Sequence, residues 1–331
     1  MNQTLAVLGA GSWGTALAIA LARAGHAVRL WTRQADDAAA MTALRVNARF
    51  LPDIVLPPSL TATADLGVAL QAVDGVLVVV PSAAFRELAR SLRGLLPVPQ
   101  LAWATKGFEQ TTGKLLHQVA AEELGSRVVC VAISGPSFAG EVALGQPTAL
   151  TVASSHAAAA DFWVDCLHGG TLRAYRSDDL VGVQVGGAVK NVLAIAAGIA
   201  DGLGFGANAR AALITRGLAE VQRLGVALGG RRDTFLGLSG VGDLVLTCTD
   251  DQSRNRRVGL ALASGKSLQQ AVAALGQVAE GVLTARAVQR LATHLDVPMP
   301  ICDEVYRVLY EDRDVLQAVR DLLAREPSAE L

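Results

Sequence analysis

The sequence predicts an α/β protein: an N-terminal Rossmann-type domain with a mostly parallel sheet, followed by an all-helical C-terminal domain. Three observations carry that prediction. The first is the stretch from Leu5 to Ala18, a short apolar strand, a glycine turn and an opening helix, with Gly9, Gly11 and Gly14 in the G-x-G-x-x-G spacing. The second is a series of short apolar runs that alternate with helical segments up to about residue 180, as parallel strands with crossover helices require. The third is the loss of strand punctuation beyond that point, where only helical patterns follow. Length agrees, because 331 residues exceed what one compact core usually holds. The expected division is residues 1–180 for the nucleotide-binding domain and 181–331 for the helical one. No flexible linker separates them, so tight packing between the halves is expected.

Each element has its own warrant. Residues 5–8 are the first strand, and a helix over 14–24 stops at Gly25. Residues 27–32 form a second strand, completing a βαβ unit. Residues 36–47 read as helical, and Phe50-Leu51-Pro52-Asp53 opens a proline-rich connection through Pro57-Pro58. Residues 76–80 are continuously apolar, as a strand buried on both faces must be, and a helix follows to about residue 93. Strands at 101–104 and 128–133 flank a helix at 113–124, and weaker strands at 148–152 and 172–175 surround an alanine-rich helix at 156–167. Residues 181–199 are a long apolar segment, and the four glycines between 198 and 206 read as a turn. The segment 208–228 is amphipathic, with Leu213, Ile214, Leu218, Val221 and Leu224 on one face. Helical patterns then run at 256–264, 267–275, 281–294, 301–310 and 314–324.

Composition narrows the function classes. A formal net charge of −1 provides no global field for nucleic acid or an anionic membrane. Four scattered cysteines without a C-x-x-C pair read as small buried residues in a reducing compartment. Five histidines in no ligand spacing imply no metal. The apolar run at 188–200 contains Lys190 and Asn191 and is too short and polar for a membrane span. With no basic leader before the first strand, a cytoplasmic protein is expected.

The glycine turn suggests a dinucleotide. Gly9 permits the tight turn, Gly11 lets backbone approach a pyrophosphate, and Gly14 lets helix pack on sheet; a plain structural βα turn is the alternative. The helix N-terminus would offer N–H groups to the phosphates. An acid at the end of the second strand would bind the ribose 2′-hydroxyl of NAD, and none is there. Arg33 is there instead, suiting a 2′-phosphate and favouring NADP, although Asp36 and Asp37 follow closely and a solvated loop arginine reads the same way.

Other strand ends carry Pro81-Ser82, Lys106-Gly107 and Gly135-Pro136-Ser137, and in an open parallel sheet these ends face the ligand crevice. Lys190 lies in an apolar segment, where an ammonium needs a cleft or a partner and becomes a proton-exchanging group as it is desolvated; a lysine snorkelling from a helix end is the alternative. Asp243 stands alone between apolar runs, either orienting a lysine or substrate hydroxyl, or capping a helix. Ser253-Arg254-Asn255-Arg256-Arg257 opens a helix with donors that suit a small phosphate, or forms a solvated basic patch. Gly265-Lys266-Ser267 has the ending of a P-loop but lacks its first glycine, since Leu260 stands there.

Seven blocks in order resemble the bacterial NAD(P)-dependent glycerol-3-phosphate dehydrogenases. They are the run from Gly9 to Ala18, Ala104-Thr105-Lys106-Gly107, the run from Ser134 to Ala139, Ala188-Val189-Lys190-Asn191, Gly240-Val241-Gly242-Asp243-Leu244, Ser253-Arg254-Asn255 and Val278-Ala279-Glu280-Gly281. The resemblance implies reversible reduction of dihydroxyacetone phosphate to sn-glycerol 3-phosphate, supplying glycerophospholipid synthesis. By that resemblance Lys190 is the general acid/base. Lys106, Gly135, Ser137, Lys190, Asp243, Ser253, Arg254 and Asn255 bind the small phosphorylated triose. Gly9, Gly11, Ser12, Trp13, Gly14, Arg33, Lys106, Ala139, Arg254, Val278 and Glu280 match cofactor positions. Members use either cofactor, so NADP(H) is preferred here on Arg33 alone, with NAD(H) also accepted and no metal. Members are often dimers, so a homodimer is compatible. Phe50 replaces the tyrosine frequent in the family's Tyr-Leu-Pro segment, removing its hydroxyl. Two competing readings are a related dehydrogenase of the β-hydroxyacid type and a non-catalytic NADP-binding redox sensor.

Overall fold

The computed structural model describes residues 2–325. Its first half alternates strand and helix: β1 (Thr4–Leu8), α1 (Ser12–Arg23), β2 (Ala27–Trp31), α2 (Ala35–Leu44), β3 (Val46–Asn47), β4 (Leu51–Val55), β5 (Leu60–Thr63), α3 (Leu66–Leu70), β6 (Gly75–Val78), α4 (Ser82–Ser91), β7 (Gln100–Trp103), α5 (Leu116–Leu124), β8 (Val129–Ser134), α6 (Ala139–Leu144), β9 (Thr148–Ala153), α7 (Ala157–Leu167) and β10 (Leu172–Ser177). The second half is helical: α8 (Leu180–Gly202), α9 (Ala207–Ala227), a 3₁₀ turn (Arg232–Leu236), a π turn (Leu238–Gly242), α10 (Asp243–Thr249), α11 (Arg254–Ala263), α12 (Leu268–Ala273), α13 (Glu280–His294), α14 (Pro300–Tyr310) and α15 (Val315–Leu323).

Eight strands form one sheet in the order β10-β9-β8-β7-β6-β1-β2-β5. Neighbours are parallel except β8 and β9. Alternate residues of β1 feed two cores: Leu5 and Val7 pack with α1, α6 and α7 on one face, while Ala6 and Leu8 pack with α3, α4 and α5 on the other. Burial on both faces explains why these strands read as continuous apolar runs. The chain winds outward from β1 through β2 to β5, then returns to place β6 on the other side of β1. That reversal opens the crevice where doubly wound sheets bind ligands. A third core, centred on α8, fills the helical half.

Three features differ from the sequence reading. The proline-rich connection contains β4, paired antiparallel with β3, and the sheet-edge strand β5; short edge strands tolerate Pro52 and carry little periodic signal. The glycines at 198 and 202 belong to α8 rather than to a turn. They permit helix contact: a Cβ at Gly198 would meet Arg256 O of α11 at 2.0 Å, and one at Gly202 would meet Ala263 Cβ at 2.5 Å. Finally, α8 extends beyond the apolar run, and its 23 residues suit a membrane span by length and composition, yet 89% of its apolar window is buried inside the protein.

Candidate active site

The glycine turn leaves β1 through Gly9, whose φ of +122° disfavours an L side chain, and a Cβ there would also strike Val79 O at 2.3 Å. A Cβ at Gly14 would fall 1.8 Å from Gly9 O, whereas Gly11 faces open space. No side chain caps α1, and its first turn carries no acid. Its N-terminus therefore remains available to an anion. Buried Asn47 braces the turn, donating to Ala10 O at 2.9 Å and Thr15 Oγ1 at 2.8 Å. Trp13 Nε1 is buried without a partner. Arg33 lies exposed just past β2, and no ion pair among the described residues engages it. This cradle, uncapped helix and unpaired guanidinium fit a dinucleotide phosphate set.

The crevice continues along the sheet edge. Val79 and Val80 lie against the glycine turn, Thr105 Oγ1 donates to Val80 O at 2.8 Å, and Ser82 begins α4. Gly107, with φ of +143°, sits against Ser82, where a Cβ would meet Ser82 Cβ at 2.9 Å. Glu280 reaches across from α13 to accept from Ser82 Oγ at 2.8 Å and Ser82 N at 3.3 Å. Burial raises the Glu280 carboxyl above its usual range, opposed by those two hydrogen bonds. Ala139 opens α6, Ser137 Oγ donates to Gly135 O at 3.0 Å, and Val278 lies exposed just before α13.

At the centre, one carboxylate joins two ammonium groups. Lys190, on α8 and 6% exposed, donates Nζ to Asp243 Oδ1 and to Thr247 Oγ1, the latter at 2.8 Å. Lys106 Nζ donates to Asp243 Oδ2 at 2.7 Å and to Gly135 O at 3.0 Å. Asp243 is fully buried, and Gly242 occupies the cap position of α10, so the capping role considered for Asp243 falls away. A kink at Gly240, with φ −102° and ψ −105°, precedes α10 and delivers Asp243 to this point. Burial pushes the Lys190 amine down to about 7; Asp243 opposes the shift, and the Lys106 charge adds to it. Lys190 is therefore poised to hold or release a proton near neutrality.

The segment at 253–257 divides its labour. Ser253 caps α11 by accepting from Arg256 N at 3.2 Å. Arg254 is exposed as a residue and donates Nη1 to Gln277 Oε1 at 3.3 Å, while burial around its guanidinium lowers its pKa. Arg256 turns inward to Asp201 Oδ2 at 2.6 Å and to Asp251, so it leaves the basic patch. Asn255 ties helices together, donating to Asn191 Oδ1 at 2.9 Å and accepting from Gly281 N at 2.9 Å. Sequence reasoning did not single out Thr247 or Ser82 as site residues. Thr247 follows Asp243 by one helical turn, a spacing that signals a shared face. Ser82 stood among the strand-end residues, but its partner Glu280 is 198 residues away. Among the described residues, no group of three or more His, Cys, Asp or Glu side chains is arranged to hold a metal ion.

Comparison with known proteins agrees across the chain. The family description NAD-dependent glycerol-3-phosphate dehydrogenase N-terminus matches residues 4–160, and the C-terminus of the same family matches residues 179–320. A glycerol-3-phosphate dehydrogenase [NAD(P)+] of Thioalkalivibrio sulfidiphilus is 59% identical, with 98% of each chain covered. Its counterpart in Halorhodospira halophila is 56% identical over 100% of this chain and 99% of that one. The crystal structure of glycerol-3-phosphate dehydrogenase from Coxiella burnetii superposes with a TM-score of 0.94 at 49% identity, covering 98% of this chain and 99% of that chain.

Proposed function

The chain belongs to the NAD-dependent glycerol-3-phosphate dehydrogenase family, and on that premise we propose that it reduces dihydroxyacetone phosphate reversibly to sn-glycerol 3-phosphate with NAD(P)H. The observation that carries the site assignment is the Lys190–Asp243–Lys106 cluster at the carboxyl edge of the sheet. A nicotinamide held at the glycine turn and the sheet edge would supply the hydride that adds to C2 of the ketone. Lys190 gives its proton to the C2 oxygen as negative charge develops there, and takes it back in the reverse direction. Asp243 holds the Lys190 ammonium in place and keeps a compensating charge beside it. Lys106 adds a cation that favours the developing alkoxide. Gly135 and Ser137 border the substrate, and Ser253, Arg254 and Asn255 form its phosphate end, with the Arg254 guanidinium supplying charge to a dianion.

The turn at Gly9, Gly11 and Gly14, with Ser12 and Trp13, holds the pyrophosphate, and Ala139, Val278 and Glu280 border the cofactor. Arg33 accepts the 2′-phosphate, so NADP(H) is preferred and NAD(H) is accepted. The same reading divides the chain at residue 180, where α8 begins, and includes a cytoplasmic location; it is compatible with a homodimer, which sedimentation would test.

An NADPH-oxidation assay with dihydroxyacetone phosphate, repeated with NADH, tests the activity: turnover with both and tighter use of NADPH is expected. Arg33→Ala should raise KM for NADPH by about tenfold, the scale of one lost charge-assisted hydrogen bond, and change KM for NADH little. Equal effects on both would remove Arg33 from the 2′-phosphate.

A further inference from the structure

The loop after β7 carries Lys106 and runs to α5, and it belongs to two bodies at once. By sequence it is part of the sheet half. By packing, its Phe108 and Leu115 are buried in the core of the helical half. A Cβ at Gly113 would meet Leu291 Cγ of α13 at 3.4 Å. Polar contacts hold the loop from both sides. Glu109, only 7% exposed, takes a two-point ion pair from Arg86 of α4, with Nη2 to Oε2 at 2.8 Å. Thr112 Oγ1 donates to the same carboxylate, and Glu109 closes its own loop through its backbone to Lys114 O at 2.9 Å and from Gly113 N at 2.8 Å. Arg86 is itself fixed to α5 through Glu122 at 2.7 Å and Glu123 at 2.8 Å. From the helical half, Arg290 of α13 donates Nη1 to Thr111 O at 3.1 Å and Nη2 to Gln110 O.

From this arrangement we propose that Glu109 and Arg290 are positioning residues, which clamp the 107–113 loop so that Lys106 stays against Asp243. The ends of the strut coincide with the site. Gly107 allows the chain to turn directly from Lys106 into the clamped segment, while packing against Ser82 and Glu280. The same helix that supplies Arg290 begins at Glu280, and the same helix that supplies Arg86 begins at Ser82. Two helices from different halves are thus joined at their N-termini by Ser82 and Glu280, and one to three turns further on by Glu109 and the loop carbonyls. A buried, fully paired carboxylate rigidifies its surroundings far more than an exposed ion pair would. Loosening it lets the Lys106 ammonium drift, and about 1 Å of drift at a reacting centre can cost on the order of 10²-fold in rate.

The proposal rests on the assignment of Lys106 to the substrate site, so the test is a double-mutant cycle in the full-length enzyme. Lys106→Met, Glu109→Gln and their combination are assayed for kcat/KM with dihydroxyacetone phosphate and NADPH, with circular dichroism confirming the fold. Glu109→Gln alone should lower kcat/KM by about 10- to 100-fold, yet lower it by less than about twofold when Lys106 is already Met, since a residue acting through another has little left to lose. Should Glu109→Gln fail to fold, Arg290→Ala, on the exposed rim, takes its place in the same cycle, with Arg290→Lys restoring part of the loss. Equal losses in both backgrounds, or no loss in the wild-type background, would overturn the clamp. A normal Lys106→Met enzyme would instead overturn the assignment of Lys106 itself.

Discussion

Lys190 and Glu220 occupy neighbouring helices of one core, and burial drives both toward neutrality from opposite directions. Lys190 is 6% exposed and pushed down to about 7; Glu220 is 1% exposed and pushed up to about 7. Their partners distinguish them. Glu220 accepts from Ile301 N at 2.6 Å and Cys302 N at 3.1 Å, so its two oxygens satisfy N–H groups in the first turn of α14. Lys190 meets a side chain carboxylate that is shared with a second lysine from the other half of the molecule, at the mouth of the sheet crevice. A perturbed pKa thus marks burial in both places, and only the company of convergent charged side chains marks chemistry.

The comparison can be broken most forcefully at Lys190. Lys190→Ala should cost about 10²–10⁴-fold in kcat, the usual contribution of a positioned proton donor, with the circular dichroism spectrum unchanged. Near-normal turnover would place Lys190 in the same class as Glu220. Asp243→Asn sharpens the contrast. It removes the charge that holds the Lys190 amine up, so the pKa should fall further below 7, and the fall in reduction rate with rising pH should begin at lower pH. A limb that stays in place would mean that Asp243 does not govern Lys190.

Glu220→Ala should be the mirror image. It strands two buried N–H groups, costing about 1–3 kcal/mol of stability in a denaturant melt, with kcat within about twofold because Glu220 bonds to the α14 backbone and not to Lys190, Asp243 or Lys106. The pH dependence has a definite sign. Folded, Glu220 keeps its proton up to about 7, whereas unfolded it releases it near the usual 4.5. Its favourable contribution is therefore complete below about pH 4.5 and is lost as pH rises through 7. Glu220→Gln should flatten that part of the stability curve, and an unchanged slope would assign it to other groups.

How much of this was legible in the sequence depended on distance along the chain. The glycine turn, compressed into six residues, announced itself because all its physical demands are local. Lys190 was visible because an ammonium inside an apolar segment needs a reason. Asp243 stayed ambiguous, since its lysines lie 53 and 137 residues away and a lone acid before an apolar run looks the same as a cap. Gly198 was misread because a glycine that admits a neighbouring backbone and a glycine that breaks a helix share one letter; the close approach of α11 decides between them. Glu220 drew no notice, for an acid on an amphipathic helix normally faces water, and only the arrival of α14 buries it.

The most direct test of the central claim is the pH dependence of kcat/KM in both directions, using dihydroxyacetone phosphate with NADPH and sn-glycerol 3-phosphate with NADP. A proton exchanged by Lys190 requires reduction to fall and oxidation to rise as pH passes through about 7, the value to which burial brings the amine. Limbs near 7 that run in the same sense in both directions, or that persist unchanged in Lys190→Met, would contradict it.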